Sequence, residues 1–242
     1  MPEEKKRILI LVEGEKTDTS LMKHLLIVYN IDAKYEIVPY RTNIYTLYNE
    51  MFSENDPSAY DLLQILKERE PIVEQKTIFN DFYSDILLIF DFEPHAPEFA
   101  PEKIKRMMEY FVESSDMGKL YLNYPMVEAF YHMSSIPDSK FDTYYATLQE
   151  LEAHTYKARV NRENRNHDYR KFAVSKEECN IVIRQHMGKA YRLYGCEPCN
   201  DTTPEHLKIL AAQFKLLSNE QKTAVISTCC FFIPDYNPSL LC

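Results

Sequence analysis

With 242 residues, 45% of them hydrophobic and 27% charged, the chain is long enough to bury a sizeable core without disulfides or a structural metal. Its formal net charge of −9 excludes a generally basic nucleic-acid coat protein, so any nucleic-acid contact must come from a local patch. The charged start, Met1–Lys6, and the short apolar run Ile8–Val12 fit neither a secretory signal nor a membrane span, and the six cysteines, all between Cys179 and Cys242, are expected as reduced thiols of a cytoplasmic protein.

Arg7–Val12 is a continuous apolar run bounded by charge and by Glu-Gly, which reads as a strand buried on both faces of a parallel sheet. Leu21, Leu25 and Val28 recur at helical spacing, predicting a helix from Thr17 with Thr17, Asp18 and Thr19 as cap candidates. A short strand at Tyr35–Val38 precedes helices around Ile44–Phe52 and Tyr60–Glu70, punctuated by Asn55-Asp56-Pro57 and Pro71. Asp85–Phe90 is the second buried strand and runs into Asp91-Phe92-Glu93-Pro94-His95. A helix over Pro101–Ser114, closed by Gly118, and a strand at Leu120–Leu122 lead to Asn123-Tyr124-Pro125 and a helix start. Glycine is scarce, four in all, so Gly14 directly after the first strand is expected to serve backbone geometry.

After about Ser134 no strong strand signal follows. Phe141–Ala153, Ser175–Tyr194, Pro204–Leu217 and Ser218–Ile233 read as helices, with Ser218 and Gln221 as a capping box. The expectation is an α/β domain over residues 1–134, with a mostly parallel sheet flanked by helices, and a helical C-terminal region over residues 135–242.

Open parallel sheets bind ligands beyond the carboxyl ends of their strands. Two strands here end in carboxylates, one at Glu13 and Glu15, the other at Asp91 and Glu93. If the strands are neighbours, Glu13 and Asp91 converge, and carboxylates with no base between them repel unless a cation sits among them. Mg2+ (or Mn2+) suits such a site, since it takes a few carboxylates, keeps waters and binds a phosphate oxygen. The alternative is that these residues end buried strands and face solvent.

Val12-Glu13-Gly14 after one hydrophobic strand and Asp91-x-Glu93 after a later one resemble the Toprim domain of topoisomerases, bacterial primases, small nucleases and OLD-type nucleases, with glutamate in place of the second aspartate. More narrowly, Glu13-Gly14-Glu15-Lys16-Thr17-Asp18 resembles the Glu-Gly-x-x-Thr-Glu signature of RloB- and AbiL-type proteins, a Toprim-fold group associated with phage defence. Asn123-Tyr124-Pro125-Met126-Val127-Glu128 with His132 resembles their Asn-Pro-x-x-Glu-x-x-x-x-His segment, with Tyr124 as an extra residue. The resemblance spans about residues 7–133. It implies a Toprim-like sheet and a Mg2+-dependent nuclease that hydrolyses DNA or RNA phosphodiesters in antiviral defence. Glu13 would be general acid or base, or a metal ligand. Asp91 and Glu93 would hold the metal, and Glu128 would be a further ligand. A partner ATPase or another defence protein is also implied. The alternative is a non-catalytic Toprim-fold module that binds a partner protein or nucleotide. The absence of a Gly-rich P-loop argues against a nucleoside triphosphatase.

Further candidates carry two readings each. Lys16 and Thr17 lie near a helix N-terminus, as phosphate contacts or as a surface lysine and a cap. Glu128 and His132, four apart, share a helical face and either complete the site or stabilise the helix. His95 is a phosphate contact or a loop histidine. Lys157, Arg159, Arg162, Arg165, Arg170 and Lys171, interleaved with Tyr156, His167 and Tyr169, track a nucleic-acid backbone or form a solvated basic segment. Cys196 and Cys199 have the spacing of half a zinc site, for which Cys229, Cys230 or His206 would have to supply the rest.

Overall fold

The computed structural model describes residues 6–31, 33–52, 56–115, 117–199 and 202–241; Asn55 and Cys242 lie outside these. The first half alternates β1 (Arg7–Val12), α1 (Thr17–Val28), β2 (Lys34–Pro39), α2 (Ile44–Met51), α3 (Leu62–Arg69), β3 (Asp85–Asp91), α4 (Pro101–Tyr110) and β4 (Lys119–Asn123). The strands form one parallel sheet in the order β2-β1-β3-β4, flanked by helices, so the fold is α/β. β1 lies between β2 and β3, with Val12 opposite Pro39 on one side and Ile89 on the other. The continuous apolar runs follow from this central place. Ile8 to Val12 and Leu87 to Phe90 are almost wholly buried, and each such side chain contributes about 1.5–3 kcal/mol of burial. β2, at the sheet edge, is only partly buried.

Local signals set the helix starts. Asn43 Oδ1 accepts from Thr46 N–H to cap α2, and Asp61 Oδ1 accepts from Leu63 and Gln64 N–H to cap α3. Pro101 opens α4.

The C-terminal half contains β5 (Tyr145–Thr147), α5 (Leu148–Glu152), α6 (Tyr156–Glu163), α7 (Lys176–Leu193), α8 (His206–Glu220), β6 (Lys222–Ala224) and α9 (Phe232–Tyr236). It is mostly helical but also holds an antiparallel ribbon, β5 with β6, where only helix was expected. Ser218 lies inside α8 and Gln221 is its left-handed C-cap, so this pair ends one helix rather than starting another. The buried Gln213 amide completes the ribbon: Nε2 donates to Ala224 O, and Oε1 accepts from Thr223 Oγ1 and Ala224 N–H.

By internal contacts the described residues fall into two units. One comprises residues 1–20, 31–90 and 100–120; the other comprises 21–30, 91–99 and 121–242. Among the described residues no helix is long and apolar enough to cross a membrane.

Candidate functional site

In the first unit, Glu13 follows β1 and is held from both sides. Its N–H donates to Ile89 O and its carbonyl accepts from Arg41 N–H, each at 3.0 Å. Sheet pairing therefore runs one residue past β1 and fixes where the Glu13 side chain leaves the sheet edge. A Cβ at Gly14 would lie 2.6 Å from Asp18 Oδ2, so Gly14 is required by the close approach of that carboxylate rather than by a left-handed backbone. Asp18, expected as a cap candidate and as the last position of the Glu-Gly-x-x-Thr-Glu-like signature, is buried in the first turn of α1, where the helix dipole favours negative charge. Thr17 is the first residue of α1; Lys16 precedes it, exposed, with its carbonyl accepting from Ser20 N–H. Glu15 pairs with Arg41 at the surface.

In the second unit, Asp91 ends β3 and is buried. Phe92 N–H donates to Asn123 O and Pro125 O at 3.0 and 3.1 Å, and Glu93 N–H donates to Pro125 O at 3.3 Å. The Phe92 ring packs on Tyr124 at 5.0 Å. The Asp-x-Glu turn and the Asn-Tyr-Pro segment, separate motifs in the sequence, are thus one local structure. Glu93 has φ of 38°, a left-handed conformation that costs a non-glycine residue about 1–2 kcal/mol. Strain of this kind concentrates at functional sites. Asn123 is wholly buried, with Oδ1 accepting from Ser227 Oγ and Cys229 N–H, so its side chain ties β4 to a distant loop. His95 packs edge-on to His154, and burial lowers its pKa, so the ring is neutral at neutral pH.

Glu128 and His132 do not share an α-helical face. The segment Val127–Tyr131 is a 3₁₀ helix, with His132 at its end. Both side chains are buried and each has its own partners in the basic segment. Glu128 Oε1 lies 3.2 Å from Lys157 Nζ, while its Oε2 is buried without a hydrogen-bond partner. His132 Nδ1 lies 3.2 Å from the Tyr156 hydroxyl and Nε2 lies 3.0 Å from Glu163 Oε2. Burial pushes the His132 pKa down to about 4, against the pull of the Glu163 hydrogen bond. The neutral ring donates through Nε2 and accepts through Nδ1. Arg159 binds Glu150 and Tyr145 O, and Arg165 binds Glu178. Arg162 and Arg170 are exposed, each beside a neighbouring acid, Glu163 and Asp168.

Cys196 and Cys199 are exposed, whereas Cys229 and Cys230 are wholly buried. His206 packs edge-on to Tyr121 and Phe231. Among the described residues no group of three or more His, Cys, Asp or Glu is arranged to hold a metal. Magnesium does not require three, since one or two carboxylates with waters and phosphate oxygens hold it, and the carboxylates of Asp91 and Glu93 are hard oxygen donors of the kind it takes.

Comparison with family models, with curated proteins and with solved structures returned no match for the chain.

Proposed function

We propose that the chain is a Mg2+-dependent phosphodiesterase of Toprim type that cuts DNA or RNA, with a role in antiviral defence. One observation carries this reading. The hydrogen-bonded neighbours β1 and β3 both run into carboxylates at their carboxyl ends, the edge at which open parallel sheets bind ligands. Asp91 and Glu93 would hold the cation, and the strained backbone of Glu93 supports a functional constraint at that turn. When bound, Mg2+ would polarise the phosphodiester and lower the pKa of an attacking water. Glu13, on a backbone clamped between two strands, takes a proton from the attacking water or returns one to the leaving oxygen. Arg162 and Arg170, exposed in the basic segment, would meet the backbone of a nucleic acid. The pairing of buried Glu128 with exposed Lys157, and of buried His132 with partly exposed Glu163, favours a positioning role over direct chemistry.

The test is a cleavage panel of single- and double-stranded DNA, tRNA and other RNA, with Mg2+ or Mn2+ and the Glu13→Ala and Asp91→Ala variants. Cutting that vanishes in both variants supports the reading. Cutting that survives both contradicts it, and no cutting by well-folded protein with metal present turns the weight to a binding module.

A further inference from the structure

The first unit holds a second feature at the carboxyl end of its sheet. A cleft of about 230 Å³ opens beside the end of β2, with Leu66 and Phe79 as apolar walls and Tyr40, Arg41, Arg69 and Glu70 as its polar groups. Its volume is below the ~300 Å³ at which drug-sized ligand pockets begin, so it admits one flat ring system rather than a whole nucleotide. Arg41 adjoins the end of β1, because its N–H donates to Glu13 O and its guanidinium pairs with Glu15.

The charges of the cleft decide what it takes. Arg41 is partnered by Glu15 and approached by Glu70, while Arg69 is partnered by Glu50. Neither guanidinium is left over to neutralise a phosphate, so the ligand is a neutral heterocycle that offers both donors and acceptors. Glu70 is buried, and its Oε1 accepts from Ile72 N–H at 3.0 Å. Its Oε2 lies 3.7 Å from Arg41 Nη1, an ion-pair distance beyond hydrogen bonding, which leaves Oε2 with capacity to accept. Carboxylate and guanidinium therefore stand side by side as acceptor and donor. Arg69 lies over the Tyr40 ring at 4.5 Å, and Tyr40 donates its hydroxyl to Glu50, so both planar groups are fixed in place.

The geometry points to a guanine-binding subsite. Glu70 Oε2 accepts from guanine N1–H and the exocyclic N2 amine, and Arg41 donates to O6, the acceptor beside them. Adenine and cytosine do not present an acceptor followed by two donors along one edge. The subsite stands on this cleft alone; it rests on the phosphodiesterase reading only in assigning the guanine to a substrate strand, held beside Glu13.

The experiment is titration of the full chain with guanosine, inosine, adenosine and cytidine in EDTA, followed by ligand-observed NMR. Wild type is expected to bind guanosine at least about tenfold more tightly than adenosine or cytidine, with inosine, which lacks the N2 amine, in between. Glu70→Gln, nearly isosteric, is expected to lose that preference, and Arg41→Lys to weaken guanosine about tenfold, with circular dichroism confirming the fold. Asp91→Asn is expected to bind guanosine as wild type does. Equal affinity for all four nucleosides, or unchanged guanosine binding in Glu70→Gln, overturns the subsite. Metal-dependent cutting without guanosine preference removes the subsite and spares the phosphodiesterase reading; guanosine preference without cutting does the reverse.

Discussion

The strand ends after β1 and β3 and the basic segment over residues 156–171 are both rich in charge and use it differently. In the basic segment most charges are satisfied at home: Lys157 with Glu128, Arg159 with Glu150, Glu163 with His132 and Arg165 with Glu178. At the strand ends it is the backbone that is satisfied. Sheet pairing past β1 clamps Glu13 within the first unit, and within the second unit the Asn123–Pro125 segment clamps Phe92 and Glu93. A buried side chain that already has a partner stabilises the fold. A carboxylate whose main chain is clamped leaves the sheet edge in a fixed direction. The difference separates positions expected to change activity from those expected to change stability.

The sharpest break of that comparison is at the strand ends. Glu13→Gln is expected to lower the rate of cutting by ~10²–10⁴-fold with the melting temperature held close to wild type; a large loss of stability instead would make Glu13 a structural residue. Next in size is the acid response of the second unit. Burial holds His132 at about 4 and His186 at about 3, both below the ordinary histidine value, so the unfolded chain binds protons that the folded chain refuses. Stability is therefore complete above about pH 6.5 and falls as pH drops towards 4, by about 3 kcal/mol for His132. Urea unfolding across that range should show a shallower pH dependence in His132→Phe, and an unchanged slope would contradict a neutral buried ring.

Gly14→Ala, which pushes a methyl group into the Asp18 carboxylate, is expected to cost about 1–3 kcal/mol by thermal denaturation. Lys157→Met leaves the buried Glu128 without its cation but with water within reach of the site, for an expected cost of about 1–2 kcal/mol. The smallest effects are reserved for the exposed cations. Arg162→Ala and Arg170→Ala should change stability by less than about 0.5 kcal/mol. Each should lower the salt slope of nucleic-acid binding by about 1 if that surface meets a phosphate backbone.

The sheet was legible because its strands are buried on both faces and carry unbroken apolar runs, and the ends of those runs exposed Glu13 and Asp91 as candidates. The ribbon of β5 and β6 was not, because three-residue strands carry no periodicity and Gln213, ten residues from Thr223, completes their hydrogen bonding. Glu128 and His132 were read as one face because spacing cannot tell a 3₁₀ turn from an α-helix. The guanidinium and carboxylate of Arg41 and Glu70 are 29 positions apart in the chain and joined only by the fold, so no local pattern announced the cleft.

The central claim is that the strand-end carboxylates hold a divalent cation, and Mn2+ binding followed by electron paramagnetic resonance tests it most directly. Wild type is expected to bind Mn2+ and to release it to excess Mg2+, while Asp91→Asn, still folded, loses at least about tenfold in affinity. Equal Mn2+ binding by wild type and Asp91→Asn, or none by folded wild type, would contradict the claim.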